Sequence, residues 1–281
     1  SPVLEDSDVY EQAWQFWWVS SALNNGQDPR FCPLIYAPAG ASLVYNHLGW
    51  FDTLLFAVTG IGQEHPALAH TLSLLLGSFL TAVFGWLLAR SWGADRYGAL
   101  FAALAMAWMP SRITRFLQHY QLANCWTLPA TMWLCRNYLK DGNLRILAAF
   151  SAVAVLGALQ SPFFTIFIVL GLIATCFAVG GSWRRTFHLC AGWLISVAVL
   201  AVLVFAAPGD PGSVSTPLGL AIYWAPEPQS FILPSPFGIA GYLAGIPMRF
   251  SWMSNTAEGV VTPGLTAVSY THLTLPTICS V

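Results

Sequence analysis

Long apolar runs alternate with short polar breaks along most of the chain. A bilayer's hydrocarbon core needs roughly 20 apolar residues per helical crossing. Six runs approach that length, at about 66–90, 97–110, 120–135, 146–161, 163–180 and 188–207. The second is short and ends at Pro110, and the fourth and fifth are separated by a tight turn around Pro162. Ahead of them, residues 8–25 read DVYEQAWQFWWVSSALNN. At helical spacing, Tyr10, Trp14, Trp17 and Ser21 share a face with Ala13 and Phe16 beside it. Glu11, Gln12 and Gln15 form a narrow polar strip. That pattern predicts an interfacial helix lying along the membrane. Asp8 stands where an N-cap is expected, Glu11 completes a capping-box pattern, and Gly26 is placed as a C-cap. From Asp28 to Trp50 three prolines and little helical period predict an ordered loop.

Composition sharpens this picture. The 281 residues are 56% hydrophobic and 8% charged, whereas soluble domains carry about 25% charged residues. The 13 Trp and 9 Tyr suit interfacial belts. A net charge of -1 gives no footprint for nucleic acid. Cys125, Cys135, Cys176 and Cys190 lie in or beside apolar runs, which reads as small buried hydrophobes rather than a disulfide framework.

Lysine and arginine then orient the spans. With residues 1–65 outside, the inside breaks hold Arg90, Arg96, Arg136, Lys140, Arg145, Arg184 and Arg185, and the outside keeps Arg30, Arg112, Arg115 and Arg249. This satisfies the positive-inside rule. The fold class expected is therefore an all-α polytopic membrane protein. Residues 1–65 form a non-cytoplasmic first loop with the interfacial helix, and 66–207 a transmembrane bundle of about six spans. Residues 208–258 form a second non-cytoplasmic loop, and 259–267 the start of a further span. The stretch 268–281, VSYTHLTLPTICSV, is expected to be foreign: its first ten residues resemble the translation of a transposase-type sequencing-library adapter. With that tail set aside and Ser at position 1, the chain is expected to be a fragment at both ends.

Four segments carry a resemblance. DSDVYEQAWQFWWVSSALNNGQDP resembles the first outside loop of the C-type glycosyltransferase superfamily (GT-C), and LIYAPAGASLVYNH the segment that follows it there. RFLQHYQLANCWTLP is similar to the segment opening a later helix, and ALQSPFFTIFIVLGL to a paired-span turn. Within the superfamily the chain most resembles bacterial transferases of the dolichyl-phosphate-mannose-protein-mannosyltransferase kind. Ser7 precedes Asp8 where the family often has Gly, and Gln118-His119 stands where it has Gly-His.

The resemblance implies a GT-C-like helical bundle in a bacterial inner membrane, multi-pass, with its active site on the periplasmic or extracellular side. It implies transfer of a sugar from a polyprenyl-phosphate carrier to a glycan, lipid or protein acceptor. Such chemistry needs a carboxylate base, cations against the departing phosphate and an amphipathic cleft. The expected base is Asp8, with Asp6 second. Arg112, Arg115 and His119 are the expected donor-phosphate group; two guanidiniums three residues apart share a helical face. His47, Tyr223 and Glu258 are the expected acceptor-binding residues. Metal ligands are unassigned: no cluster has metal-ligand spacing, and relatives differ in using a divalent cation.

Each of these residues also has a plainer role. Asp8 serves as a cap, the arginines snorkel to lipid phosphates, the histidines hydrogen-bond locally, and the aromatics belong to the interfacial belt. The rival functions are a transporter and a non-catalytic assembly subunit. Coupled transporters place ionisable residues inside their spans, and the six runs carry almost none away from their ends, His188 lying close to a boundary. P-loop, dinucleotide and nucleophile-elbow motifs are absent from the sequence, which points to a lipid-linked donor.

Overall fold

The structure is a computed structural model that describes residues 9–35, 37–43, 49–109, 112–113, 115–116 and 119–208. These residues are mostly helical. In chain order they form α1 (Val9–Asn24), a two-residue antiparallel pair β1 (Phe31–Cys32) and β2 (Ala41–Ser42), α2 (Trp50–Val58), α3 (Ile61–Glu64), α4 (Pro66–Ser91) and α5 (Arg96–Ala107). They continue with α6 (Tyr120–Ala123), α7 (Thr127–Asp141), α8 (Leu144–Gln160), α9 (Pro162–Val179) and α10 (Trp183–Phe205).

Local chemistry sets these bounds. Pro66 and Pro162 open α4 and α9, where a missing backbone N–H costs nothing. Asp95 caps α5 by accepting from the Gly98 amide at 2.7 Å, and Asn143 caps α8 by accepting from the Arg145 amide at 2.9 Å. α1 ends with Gly26 at φ 65° and a Gln27 N–H to Ala22 carbonyl bond of 2.8 Å, the six-to-one closure of a Schellman turn. Ser161, extended at φ -157°, ends α8 and precedes α9, so the turn at Pro162 is a sharp helical hairpin.

Among the described residues, three helices are long and apolar enough to cross a membrane: α4, α9 and α10, with mean hydropathies of 2.0, 2.4 and 2.3. α5 and α8 are shorter apolar helices. The run at 120–135 is built differently from the single span expected there. α6 closes after one turn, and α7 continues to Asp141, taking Arg136 into a helix. Arg136 is buried there with its guanidinium 4.8 Å from the centre of the Trp92 ring. The aromatic face compensates part of its desolvation, which is why a cation fits inside this helix instead of in a loop.

The hairpins sort the helix ends. Arg185 donates to the Leu139 carbonyl and, at 2.8 Å, to the Lys140 carbonyl, so the start of α10 closes over the end of α7. Trp92 brings the end of α4 to the same place. This end of the bundle carries Arg90, Arg96, Lys140, Arg145, Arg184 and Arg185. At the other end Arg30, paired with Asp28 at 2.7 Å, donates to the Leu203 carbonyl near the end of α10. The main apolar core lies among α7, α8, α9 and α10, with Tyr138, Phe150, Phe164, Ile168 and Leu189 fully buried.

The first helix departs from expectation in its facing. Gln12 and Gln15, expected on an outward polar strip, are buried, because α1 packs on α2, α3 and α4. Phe16 is wholly enclosed beside Phe56, His70 and Tyr120. α1 is thus packed on the fold by one face, with Tyr10 and Leu23 exposed on it.

Candidate functional site

Opposite the basic end, one carboxylate is buried in the bundle. Asp52, on the first turn of α2, is 2% exposed. Asn124 reaches it from the end of α6 and Gln160 from the last residue of α8. Each donates an amide N–H to Asp52 Oδ2 at 2.6 Å. Asn124 Nδ2 also donates to Ser73 Oγ on α4 at 2.7 Å. One short network therefore ties four helices through side chains whose partners lie far apart in the chain.

Two glycines make the approach feasible. Gly77 on α4 faces the Asn124 amide so closely that a Cβ there would occupy the amide's own space. Gly49, left-handed at φ 54°, lies under the Tyr120 hydroxyl, where a side chain would be both strained and obstructed.

The site is under electrostatic tension. Burial raises the Asp52 pKa to about 6; hydrogen bonds from Asn124, Ser73 and Gln160 act against the rise. Burial, with the neighbouring Asp52 charge, also holds the Tyr120 phenol protonated well above its usual range. His70 Nε2 lies 2.8 Å from Gln12 Oε1, and its ring packs edge-on to Tyr120 at 5.5 Å. Several buried oxygens here have no partner among the described residues: Asn124 Oδ1, Thr127 Oγ1, Gln160 Oε1 and Ser161 Oγ. Among the described residues no three His, Cys, Asp or Glu side chains gather as a metal site.

The residues expected from sequence fall in two groups. Asp6, Asp8, His47, Tyr223 and Glu258 lie outside the described residues. Arg112, Arg115 and His119 are described. Arg112 is buried and Arg115 half-buried, and a turn bond joins the Arg115 amide to the Arg112 carbonyl at 3.1 Å. The Arg112 guanidinium is fully engaged. It donates to the carbonyls of Ala107 and Ala123 and, at 3.0 Å, to Ser78 Oγ, with the Phe116 ring 5.0 Å away. It braces the end of α5 against the end of α6, one residue from Asn124. His119 is half-buried at the residue preceding α6.

This bracing predicts a stability effect. Arg112→Met should lower unfolding free energy by about 2–4 kcal/mol, since two buried carbonyls lose their donors. A guanidinium used only for a headgroup would leave the melting temperature of the purified protein unchanged.

A family model described as a domain of unknown function (DUF6311) matches residues 13–265. The chain belongs to the DUF6311 family. The matched stretch takes in Asp52, Ser73, Asn124 and Gln160 together with Arg112, Arg115 and His119. No curated protein and no solved structure matches the chain.

Asp52, Asn124, Gln160 and His70 were not singled out from sequence. A signal existed for Asp52: it is one carboxylate in the apolar stretch WFDTLLFAV, and an ionisable residue in such a stretch points to a functional site. The stretch is only nine residues long and adjoins a proline-rich loop, which is why it read as part of that loop.

Proposed function

We propose that the chain is a membrane glycosyltransferase of GT-C type. It moves a sugar from a polyprenyl-phosphate donor to a hydroxyl-bearing or amide-bearing acceptor on the non-cytoplasmic face of a bacterial inner membrane. The observation that supports this best is the polarity of the bundle. One end gathers a buried carboxylate, amides, a histidine and a tyrosine, with Arg30, Arg112 and Arg115, and the opposite end gathers the larger share of the cations, Arg90, Arg96, Lys140, Arg145, Arg184 and Arg185. By the positive-inside rule the basic end is cytoplasmic, so the Asp52 end faces outward, where lipid-linked donors are used.

In this reaction the acceptor oxygen or nitrogen attacks the anomeric carbon, and the bond from that carbon to the phosphate oxygen breaks. Polyprenyl phosphate leaves with the bonding electrons. Asp8 takes the acceptor proton, with Asp6 beside it in sequence. Arg115 and His119 stand toward the leaving phosphate, while Arg112 holds the segment that carries them. His47, Tyr223 and Glu258 are assigned to the acceptor. Asp52 is too enclosed to touch substrate and acts as a positioning residue, fixing α2, α4, α6 and α8 against one another. A divalent cation at the phosphate is compatible with the scheme and forms no step of it.

A transporter is the second reading, and one observation favours it. Asp52 and His70 are ionisable groups buried within the bundle, as proton relays are. Full-length protein in vesicles containing a polyprenyl-phosphate sugar and a lumenal pH dye separates the two. Transfer predicts release of polyprenyl phosphate, with any dye response, only when acceptor is present. A dye response without phosphate release would replace the enzyme by a proton-coupled carrier.

A further inference from the structure

At the basic end, α8 and α10 diverge and leave a groove of about 260 Å³. Its walls are Leu144, Leu147 and Ser151 from α8, and His188, Ala191 and Ile195 from α10. It opens at an apolar surface: Leu144 is 67% and Ile195 52% exposed. Gly192 allows the helices to stay in contact at its floor, because a Cβ there would overlap the Ser151 hydroxyl. A hydrophobic groove between two apolar helices, one of them long enough to cross the membrane, is filled in the bilayer by a hydrocarbon chain.

The rim supplies the charge. Arg145 follows Leu144, and Arg184 stands one helical turn before His188; both are exposed and neither has a partner among the described residues. Their neighbour Arg185 is engaged on the Leu139 and Lys140 carbonyls. Tyr138 Oη holds His188 Nδ1 at 2.6 Å, so the ring is fixed and Nε2 has no partner among the described residues. Two helix N-termini, those of α8 and α10, also point their positive ends to this rim. Of the described acidic residues, Asp141 lies closest in sequence to this rim.

We propose that this groove is a binding site for one anionic phospholipid of the leaflet at the basic end. An acyl chain lies between α8 and α10, and the headgroup phosphate is held by Arg145, Arg184 and His188 Nε2. Basic pockets between membrane helices select anionic headgroups in this way. The site is at the opposite end from Asp52 and does not depend on the glycosyltransferase reading.

The test is native mass spectrometry of full-length, delipidated protein titrated with phosphatidylglycerol, with phosphatidylcholine of the same chains, and with inorganic phosphate. Phosphatidylglycerol should bind one-to-one and the other two should not. Arg145→Gln with Arg184→Gln should weaken it about 30-fold, each cation contributing about 1 kcal/mol and about 1.4 kcal/mol being tenfold. Ala191→Trp, which fills the groove from its lip, should abolish it. Arg90→Gln with Arg96→Gln, the same charge change away from the groove, should leave it intact. Equal binding of phosphatidylcholine, competition by inorganic phosphate, or equal weakening by the control pair would overturn the proposal. Melting temperature in phosphatidylcholine confirms that each variant is folded.

Discussion

Asp8→Asn in the full-length protein should cut sugar transfer about 100- to 10,000-fold, the usual contribution of a general base. It should do so without loss of membrane insertion or of melting temperature. Asn is about as good an N-cap as Asp, and α1, which begins at Val9, is anchored by buried Phe16 and by the Gln12–His70 contact. The substitution removes the proposed base and keeps a side chain able to cap, whereas Asp8→Ala would keep neither. Asp6→Asn serves as the parallel control. Full activity in Asp8→Asn would leave Asp8 as a helix cap and move the search for the base to Asp6 or Glu258. Loss in both aspartate variants would mean the pair works together.

Asp52 should respond to substitution in opposite directions. Its folded pKa of about 6 lies above the ordinary 3.8 because of burial. A carboxyl with a raised folded pKa binds more protons folded than unfolded, so stability is fullest below about pH 4 and declines as pH rises through about 6. The difference of about two pH units corresponds to about 3 kcal/mol by neutral pH, each unit being about 1.4 kcal/mol. Asp52→Asn removes that charge but keeps an oxygen for Asn124 and Gln160. It should flatten the decline between pH 4 and 6 and match or exceed the parent at pH 7.5. Asp52→Leu leaves one buried amide N–H of Asn124 and one of Gln160 unpaired and should cost about 2–6 kcal/mol at every pH. Denaturation followed across pH in detergent checks both. A parallel loss in Asp52→Asn would mean the ionised carboxylate itself holds the helices together.

How much of the fold is legible in the sequence varies with the reach of the interaction concerned. α4, α9 and α10 announce themselves because a membrane-crossing helix is a local property: each has an uninterrupted apolar run, and Pro66 and Pro162 mark two starts. α7 was misframed because Arg136 reads as a loop cation until Trp92 is known to cover it, and Trp92 lies on the far side of two helices in the sequence. Gln12 and Gln15 look like a solvent-facing strip by periodicity alone; their burial depends on α2, α3 and α4 arriving over them. Asp52 is the extreme case. Its partners Asn124 and Gln160 stand 72 and 108 positions away, and no spacing within one helix announces such a pairing. The aspartates at positions 6 and 8, by contrast, are legible only through the resemblance and the cap pattern.

The proposed function requires the Asp52 end of the bundle to be the outward, working end. Right-side-out vesicles carrying full-length Gln27→Cys or Asp141→Cys test it with a membrane-impermeant thiol reagent, scored by mass at the introduced residue. Gln27 is exposed beyond α1, at the end where Arg30 meets Leu203, and Asp141 is exposed at the close of α7 among the arginines. The predicted result is labelling at position 27 and none at 141 until the membrane is permeabilised. Labelling at 141 and protection at 27 would place the Asp52 end in the cytoplasm and contradict sugar transfer from an outward-facing lipid-linked donor.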